Sequence, residues 1–413
     1  MAKKVLRKIL LAVVFIVGIP VVLLLLYILF NLNLFHKTKK LTATELNSLV
    51  QHINPVQSDP FSFVAEKFDN HSVVFLGELH RRKQDLDFFA QLIPYLYQTK
   101  KINVIGWEFG AQEYQRGADS VVTASEFDRR KAISIMRKSA YNWCWEEYLN
   151  IFKTIWETNK TISDTNEKIR FLQLNEAFIP RNAYSKDPKA RLKAVKSIDS
   201  ELPGIVEREV LLKNKKALIY CGLNHSLTKF KTPIAFFLKD KGRAGQGLYA
   251  KYPNKIFQID LVSPYPHRWS QYYALRHNYG FRNQQIIKFV YPFEGIFNQL
   301  YDTLKRPFAT NSSDQYFANL KDYNSFYAFD TWRGIQLKDF CDGFIMLESF
   351  DKIESVQFIN DWVTTEEELN EVKNVLVEED AKKITTIQDL INYLNPNGNI
   401  NDLKKFHALK KFW

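Results

Sequence analysis

Four short stretches hold the residue types from which a reaction centre could be built. Val73-Val74-Phe75-Leu76 runs apolar into Gly77-Glu78-Leu79-His80. In an extended chain, residues two apart lie on the same side, so Glu78 and His80 can turn to one spot. Gly77 lets the backbone bend sharply just before them. Ala217-Leu218-Ile219-Tyr220-Cys221 runs in the same way into Gly222-Leu223-Asn224-His225. Val104-Ile105-Gly106-Trp107-Glu108 and Leu172-Gln173-Leu174-Asn175-Glu176 lie between these two. The shared Gly-x-x-His spacing, 77–80 and 222–225, hints at an internal duplication. Only 8 His occur in the 413 residues, and two of them take matching positions close to acids.

Singly, each of these residues has an ordinary explanation. A His after a strand is most often a surface or hydrogen-bonded group, and a Glu in the first turn of a helix complements the helix dipole. Their recurrence at four strand ends favours a shared site. Glu78, His80, Glu108 and His225 could bind a divalent ion such as Zn²⁺, Mn²⁺ or Fe²⁺. The ion would lower the pKa of a bound water and make it a nucleophile. The same four residues could act without metal. Glu78 would then orient His80 as general base, Glu108 would be a second acid, and His225 a second base or oxyanion stabiliser. Both routes lead to hydrolysis of a small-molecule or peptide substrate, and both stay open. Asn175 and Glu176 are further candidates for the site.

These side chains need a frame that gathers strand ends. Strands are expected at 73–76, 103–106, 169–174, 217–221, 255–261 and 344–347, with longer helical stretches between them. In the helix expected over 85–100, Leu86, Phe89, Ile93 and Leu96 share a face. In the one over 142–159, Trp145, Leu149, Phe152 and Trp156 do the same. Alternating strands and helices with apolar strands predict an α/β fold with a mainly parallel central sheet flanked by helices. In such sheets ligands sit beyond the carboxyl ends of the strands. The chain divides into an anchor (1–40), a linker with short helices (41–72), the α/β domain (73–350) and a helical appendage (351–413). Thr42-x-x-Glu45, Thr365-x-x-Glu368 and Thr385-x-x-Gln388 read as helix starts.

Residues 9–30 form 22 positions without a charge. As one helix they would extend roughly 33 Å, enough for a hydrocarbon core of about 30 Å. Lys3, Lys4, Arg7 and Lys8 precede the run, and His36, Lys37, Lys39 and Lys40 follow it. The run is longer than a signal-peptide core and has no small-residue cleavage site after it. The expectation is one N-terminal transmembrane helix, a single-pass membrane protein, and a main domain outside the cytoplasm. The net charge of +12 fits that picture better than nucleic-acid binding. Seven Lys and Arg and no acid lie in 1–40, whereas the other 373 residues carry 50 basic and 45 acidic groups. Three scattered Cys exclude a disulfide framework and a Cys-based zinc module. Nucleophile elbow, His-Glu-x-x-His and Walker A patterns are absent. Gly242-Arg243-Ala244-Gly245-Gln246-Gly247 reads as a surface loop and 330–334 as a loop that could line a pocket, with Tyr327 and Trp332 as packing residues.

Gly77-Glu78-x-His80, the strand ending in Glu108 and Gly222-x-x-His225 resemble the superfamily of erythromycin esterases, Tiki/TraB proteases and ChaN-like haem-binding proteins. The stretch 245–252 leading into 256–261, and Cys341-Asp342-Gly343-Phe344-Ile345-Met346-Leu347, are similar to later segments of that group. The likeness spans roughly 73–350. It implies an α/β fold with Glu78, His80, Glu108 and His225 in a central cleft. Erythromycin esterases are thought to activate water against a lactone with His and Glu. Tiki-type members are metal-dependent and membrane-tethered proteases. ChaN-like members imply haem or iron binding as the alternative function, with a Tyr ligand that no single Tyr here matches.

Overall fold

The computed structural model describes Arg7 and residues 13–31, 41–53, 59–183, 198–235, 238–239, 242–268, 289–328 and 333–398. Seven strands form the main sheet: β1 (Val73–Glu78), β2 (Val104–Ala111), β3 (Arg170–Asn175), β4 (Ala217–Gly222), β5 (Ile256–Leu261), β6 (Phe308–Asn311) and β7 (Gly343–Met346). Their order across the sheet is β6-β7-β5-β1-β4-β2-β3. Every pairing is parallel except that of β6 with β7. The six expected strands are all present, and β6 is the addition.

Helix α1 (Ala43–His52) opens on the capping box of Thr42 and Glu45, and α2 (Pro60–Asn70) is capped by Asp59. Helix α3 (Lys83–Lys100) follows β1. The next three are α4 (Gln115–Thr123), α5 (Arg129–Ser139) and α6 (Glu146–Lys160). Leu86, Phe89, Ile93 and Leu96 of α3 are buried, as are Trp145, Leu149 and Phe152 at α6. They join Val74, Leu76, Leu218 and Tyr220 on one side of the sheet. The opposite side holds Val73, Phe75, Ile219 and Cys221. It is covered by α7 (Ile198–Val206), which follows β3, and by α9 (Ala244–Lys251). Between β4 and α9 lies the single turn α8 (Leu223–Ser226).

The chain leaves β1 toward β2 and leaves β4 toward β5, in opposite directions from two neighbouring strands. Reversals of this kind leave a crevice at the carboxyl ends, and Glu78 and Gly222 end the two strands that flank it.

Helix α10 (Ile296–Leu304) packs beside α1 on a second group of apolar residues that includes Phe293, Phe297 and Phe344. Past residue 350 the chain returns to the domain. Ser355 bridges Arg82, Phe358 bridges Trp145, and Trp362, Leu369 and Leu390 are buried in the same core as α3 and α6. Helix α11 (Glu366–Val375) starts at Thr365 as expected. Helix α12 (Ile387–Leu394) starts at Thr386 with a capping box to Asp389, one residue later than the Thr385-x-x-Gln388 pattern suggests.

The amino terminus departs from expectation. Among the described residues no helix is long and apolar enough to cross a membrane. The apolar run is split between a π-helical segment, Val14–Gly18, and an α-helix, Ile19–Asn31. Pro20 lies at the junction and has no N–H to carry the ladder across it. The 13-residue α-helix spans only about 20 Å, short of a bilayer core of about 30 Å. A single-pass anchor is therefore not supported, and the expected extracytoplasmic placement loses its basis. Residues 9–12, and the basic flanks other than Arg7, lie outside the described residues.

Candidate active site

Glu78 is the last residue of β1 and is fully buried between β4 and β5. Two residues on, His80 donates its Nδ1 proton to Glu78 Oε1. The i, i+2 spacing thus produces the contact expected of it. The Nε2 of His80 lies 3.5 Å from Glu108 Oε1, so the imidazole stands between two carboxylates. The imidazole side chain stays 32% exposed at the crevice. Its ring meets Phe109 and Trp143 edge-on, with centroids 5.6 and 5.1 Å away, which fixes its plane. Burial works against a charged imidazole here. The charge and hydrogen bond of Glu78 and the charge of Glu108 outweigh it and raise the His80 pKa above its ordinary 6.5, against a smaller opposing effect of Arg81.

Glu108 reaches the site through an irregularity in β2. The register with β3 shifts between Trp107 and Ala111, and such bulges re-aim side chains. Glu108 Oε2 accepts the N–H of Gly222 at 2.7 Å, which leaves Oε1 toward His80. Gly222 is required at this point. A Cβ there would lie 2.8 Å from His80 Cε1 and 3.4 Å from Glu108 Oε2.

The turn from β1 into α3 adds two cations. Arg81 adopts a left-handed φ of 71° that swings the chain into the helix. Its N–H donates to Tyr148 Oη at 3.1 Å, and its guanidinium lies 5.0 Å from the Trp143 ring. Arg82 is 2% exposed, and its Nε and Nη1 have no hydrogen-bond partner among the described residues. Glu78 Oε2, Asp85 Oδ2 and Asp260 Oδ1 are buried in the same condition. Burial raises the Asp85 carboxyl to about 8, against the pull of Arg82. It raises that of Asp260 to about 7, against the Tyr265 hydroxyl and Arg82.

His225 sits on α8 and is not hydrogen-bonded to Glu78, His80 or Glu108. Its Nδ1 meets Asp199 Oδ1 of α7 at 2.8 Å. The structure therefore joins three of the four expected residues directly and gives the fourth a carboxylate of its own. The Asn175 side chain folds back to accept the N–H of Glu176 and takes no part in the triad.

Asp199, Arg243, Arg81 and Arg82 were not foreseen. Arg81 and Arg82 directly follow the Glu-x-His motif and could have been read as site cations. Asp199 has no signal of its own. Arg243 lies in the 242–247 segment expected as a surface loop, which instead runs into α9. Tyr327 is a packing residue, buried against Phe340 and Tyr265. Trp332, with the rest of 329–332, lies outside the described residues.

Among the described residues no group of three or more His, Cys, Asp and Glu is arranged to hold a metal ion. The expected set of Glu78, His80, Glu108 and His225 does not converge as ligands. His80 commits Nδ1 to Glu78, Glu108 commits one oxygen to Gly222, and His225 commits Nδ1 to Asp199.

No protein-family model and no curated protein matches the sequence. Solved structures with a similar chain trace include the two kinds of protein that the motifs resemble. An erythromycin esterase, EreC, in its open conformation is 11% identical, with a TM-score of 0.44 over 71% of this chain and 95% of its own. ChaN of Campylobacter jejuni, described with cofacial haem binding, is 13% identical, with a TM-score of 0.35 over 49% of this chain and 86% of its own. A succinoglycan biosynthesis protein is 11% identical, with a TM-score of 0.48 over 78% of this chain and all of its own.

Proposed function

We propose that the chain is a hydrolase of ester or lactone bonds in which His80 activates water and Glu78 and Glu108 hold it in place. The observation that carries this is the partly exposed imidazole bracketed by two buried carboxylates just past a strand end. The Nδ1 proton of His80 is committed to Glu78, so the neutral ring offers its lone pair at Nε2. A water at Nε2 gives up a proton as its oxygen bonds to the acyl carbon. The electron pair of the carbonyl moves to oxygen and then returns to re-form the carbonyl as the ester C–O bond breaks, and the imidazolium gives its proton to the departing alkoxide. Glu78 stabilises the imidazolium that forms, as a buried carboxylate does for a catalytic His. Glu108, pinned by the Gly222 N–H, keeps Oε1 beside Nε2 and helps orient the water. The α/β region 73–350 would carry the whole site, and the substrate would be a small molecule or a peptide.

The test is hydrolysis of p-nitrophenyl butyrate, a macrocyclic lactone and a chromogenic peptide by the full chain and by His80→Ala. The wild type should hydrolyse the ester or the lactone, and His80→Ala should lose roughly 10²–10⁴-fold in kcat/KM with an unchanged near-ultraviolet dichroism spectrum. A folded His80→Ala variant as active as the wild type, or a wild type inert on all three probes, contradicts the reading.

A further inference from the structure

We propose that Asp199 is a positioning residue of the reaction centre: its carboxylate accepts the Nδ1–H hydrogen bond of His225 and so keeps the proton on Nδ1 and leaves Nε2 bare, which makes His225 a second base. The catalytic half of this proposal rests on the hydrolase reading above.

The carboxylate is held from three elements. Asp199 belongs to α7, His225 to α8, and the start of α9 supplies the remaining contacts. Oδ1 accepts from His225 Nδ1 at 2.8 Å and from the Ala244 N–H at 2.9 Å, and Oδ2 accepts from Arg243 Nη1 at 3.1 Å. Gly245 is required here. A Cβ on Gly245 would lie 2.4 Å from Ser226 O and 2.6 Å from Leu227 O. The first turn of α9 therefore lies directly on the backbone leaving α8, and that closeness lets Ala244 and Arg243 reach the carboxylate. Burial tends to raise the Asp199 pKa, but the hydrogen bonds from His225 and Ala244 and the charge of Arg243 outweigh it, so the group is ionised at neutral pH.

An ionised carboxylate can only accept, so the Nδ1 it meets carries the proton and a neutral ring offers its lone pair at Nε2. In the chain, His225 lies three residues after Gly222, the cap of α8. Gly222 is the residue whose N–H holds Glu108 and on which a Cβ would lie 2.8 Å from His80 Cε1. Both imidazoles are partly exposed.

The experiment is ¹⁵N-histidine labelling of the full chain with two-bond ¹H–¹⁵N correlations, His225 being assigned by its loss in His225→Gln. The spectra are taken above the imidazole titration range. The wild type should show His225 as the Nδ1–H tautomer, and Asp199→Asn should convert it largely to the Nε2–H form, since the amide can donate to Nδ1. On p-nitrophenyl butyrate, Asp199→Asn should lower kcat about 10²-fold, the low end of a positioned acid–base contribution, with KM little changed. Asp199→Glu should restore part of the loss. If Asp199→Asn fails to fold, the wild-type tautomer and Asp199→Glu still decide. An Nε2–H tautomer in the wild type overturns the proposal, as does an unchanged tautomer or an unchanged kcat in a folded Asp199→Asn. A wild type inert on the ester, the lactone and the peptide sinks the hydrolase reading and the catalytic half, while the tautomer still decides whether Asp199 fixes His225.

Discussion

His80 is held by what surrounds it: Glu78 pairs with its Nδ1, Glu108 faces its other nitrogen, and two aromatic rings set its plane. Beneath it, the buried carboxyls of Asp85 and Asp260 bind their protons more tightly in the folded chain than in the unfolded one. Burial raises them from an ordinary 3.8 to about 8 and about 7. A raised carboxyl lends its stability in full below its unfolded value and loses it as pH climbs through the folded value. His80 is raised as well and acts in the same sense. The urea midpoint should therefore fall as pH rises from about 4 toward about 7 and about 8 and level off above, and Asp85→Asn with Asp260→Asn should flatten that fall. A midpoint that rises over this range in the wild type would contradict the assignment. Much of this scale was legible in advance. The Glu-x-His spacing and the Gly-x-x-His repeat point to Glu78, His80 and His225 because they are local patterns. Asp85, Asp260 and Asp199 were not legible, since their partners lie on other elements and no short spacing records them.

At the scale of elements, apolar runs long enough to show a period were found where expected. Strands β1, β3, β4 and β5 match their predicted spans to within one or two residues. Strand β6 escaped because four residues, Phe308–Asn311, are too few to display alternation. The bulge in β2 escaped because it appears as a register shift against β3, which one strand alone does not encode. The cap of α12 shows how two adjacent threonines mislead. Thr386 Oγ1 accepts the Asp389 N–H at 3.1 Å and so satisfies one of the free N–H groups of the first turn. Thr385 donates its backbone N–H and its hydroxyl to the Asp389 carboxylate, at 2.9 and 2.7 Å, and its side chain satisfies no N–H of the helix. Thr386→Ala should cost about 1 kcal/mol and Thr385→Ala less, as read from chemical denaturation. The reverse order would place the helix start one residue earlier.

At the scale of the molecule, the parallel sheet gathers groups that the chain separates. Glu78 and Gly222 end the neighbouring strands β1 and β4, and Glu108 in the irregular part of β2 reaches the Gly222 N–H, so the three meet at one crevice. The α/β architecture was legible because it follows from alternation along the whole chain. The docking of the last described helices was less so, because contacts such as Arg137 to the Trp362 carbonyl at 2.7 Å join residues 225 positions apart. The amino terminus was misjudged because hydropathy records apolar length and not helix type, which changes from π to α at Ile19, beside Pro20. The central claim is that Glu78 and His80 act as one base in this crevice, and it is tested most directly by kcat/KM for p-nitrophenyl butyrate against pH in the wild type and Glu78→Gln. Because the base must be neutral and Glu78 raises its pKa, the wild-type profile should rise through a pKa above 6.5. Glu78→Gln should move that pKa downward and lower the plateau by roughly 10²-fold. A profile whose inflection and plateau are the same in both proteins would contradict the account.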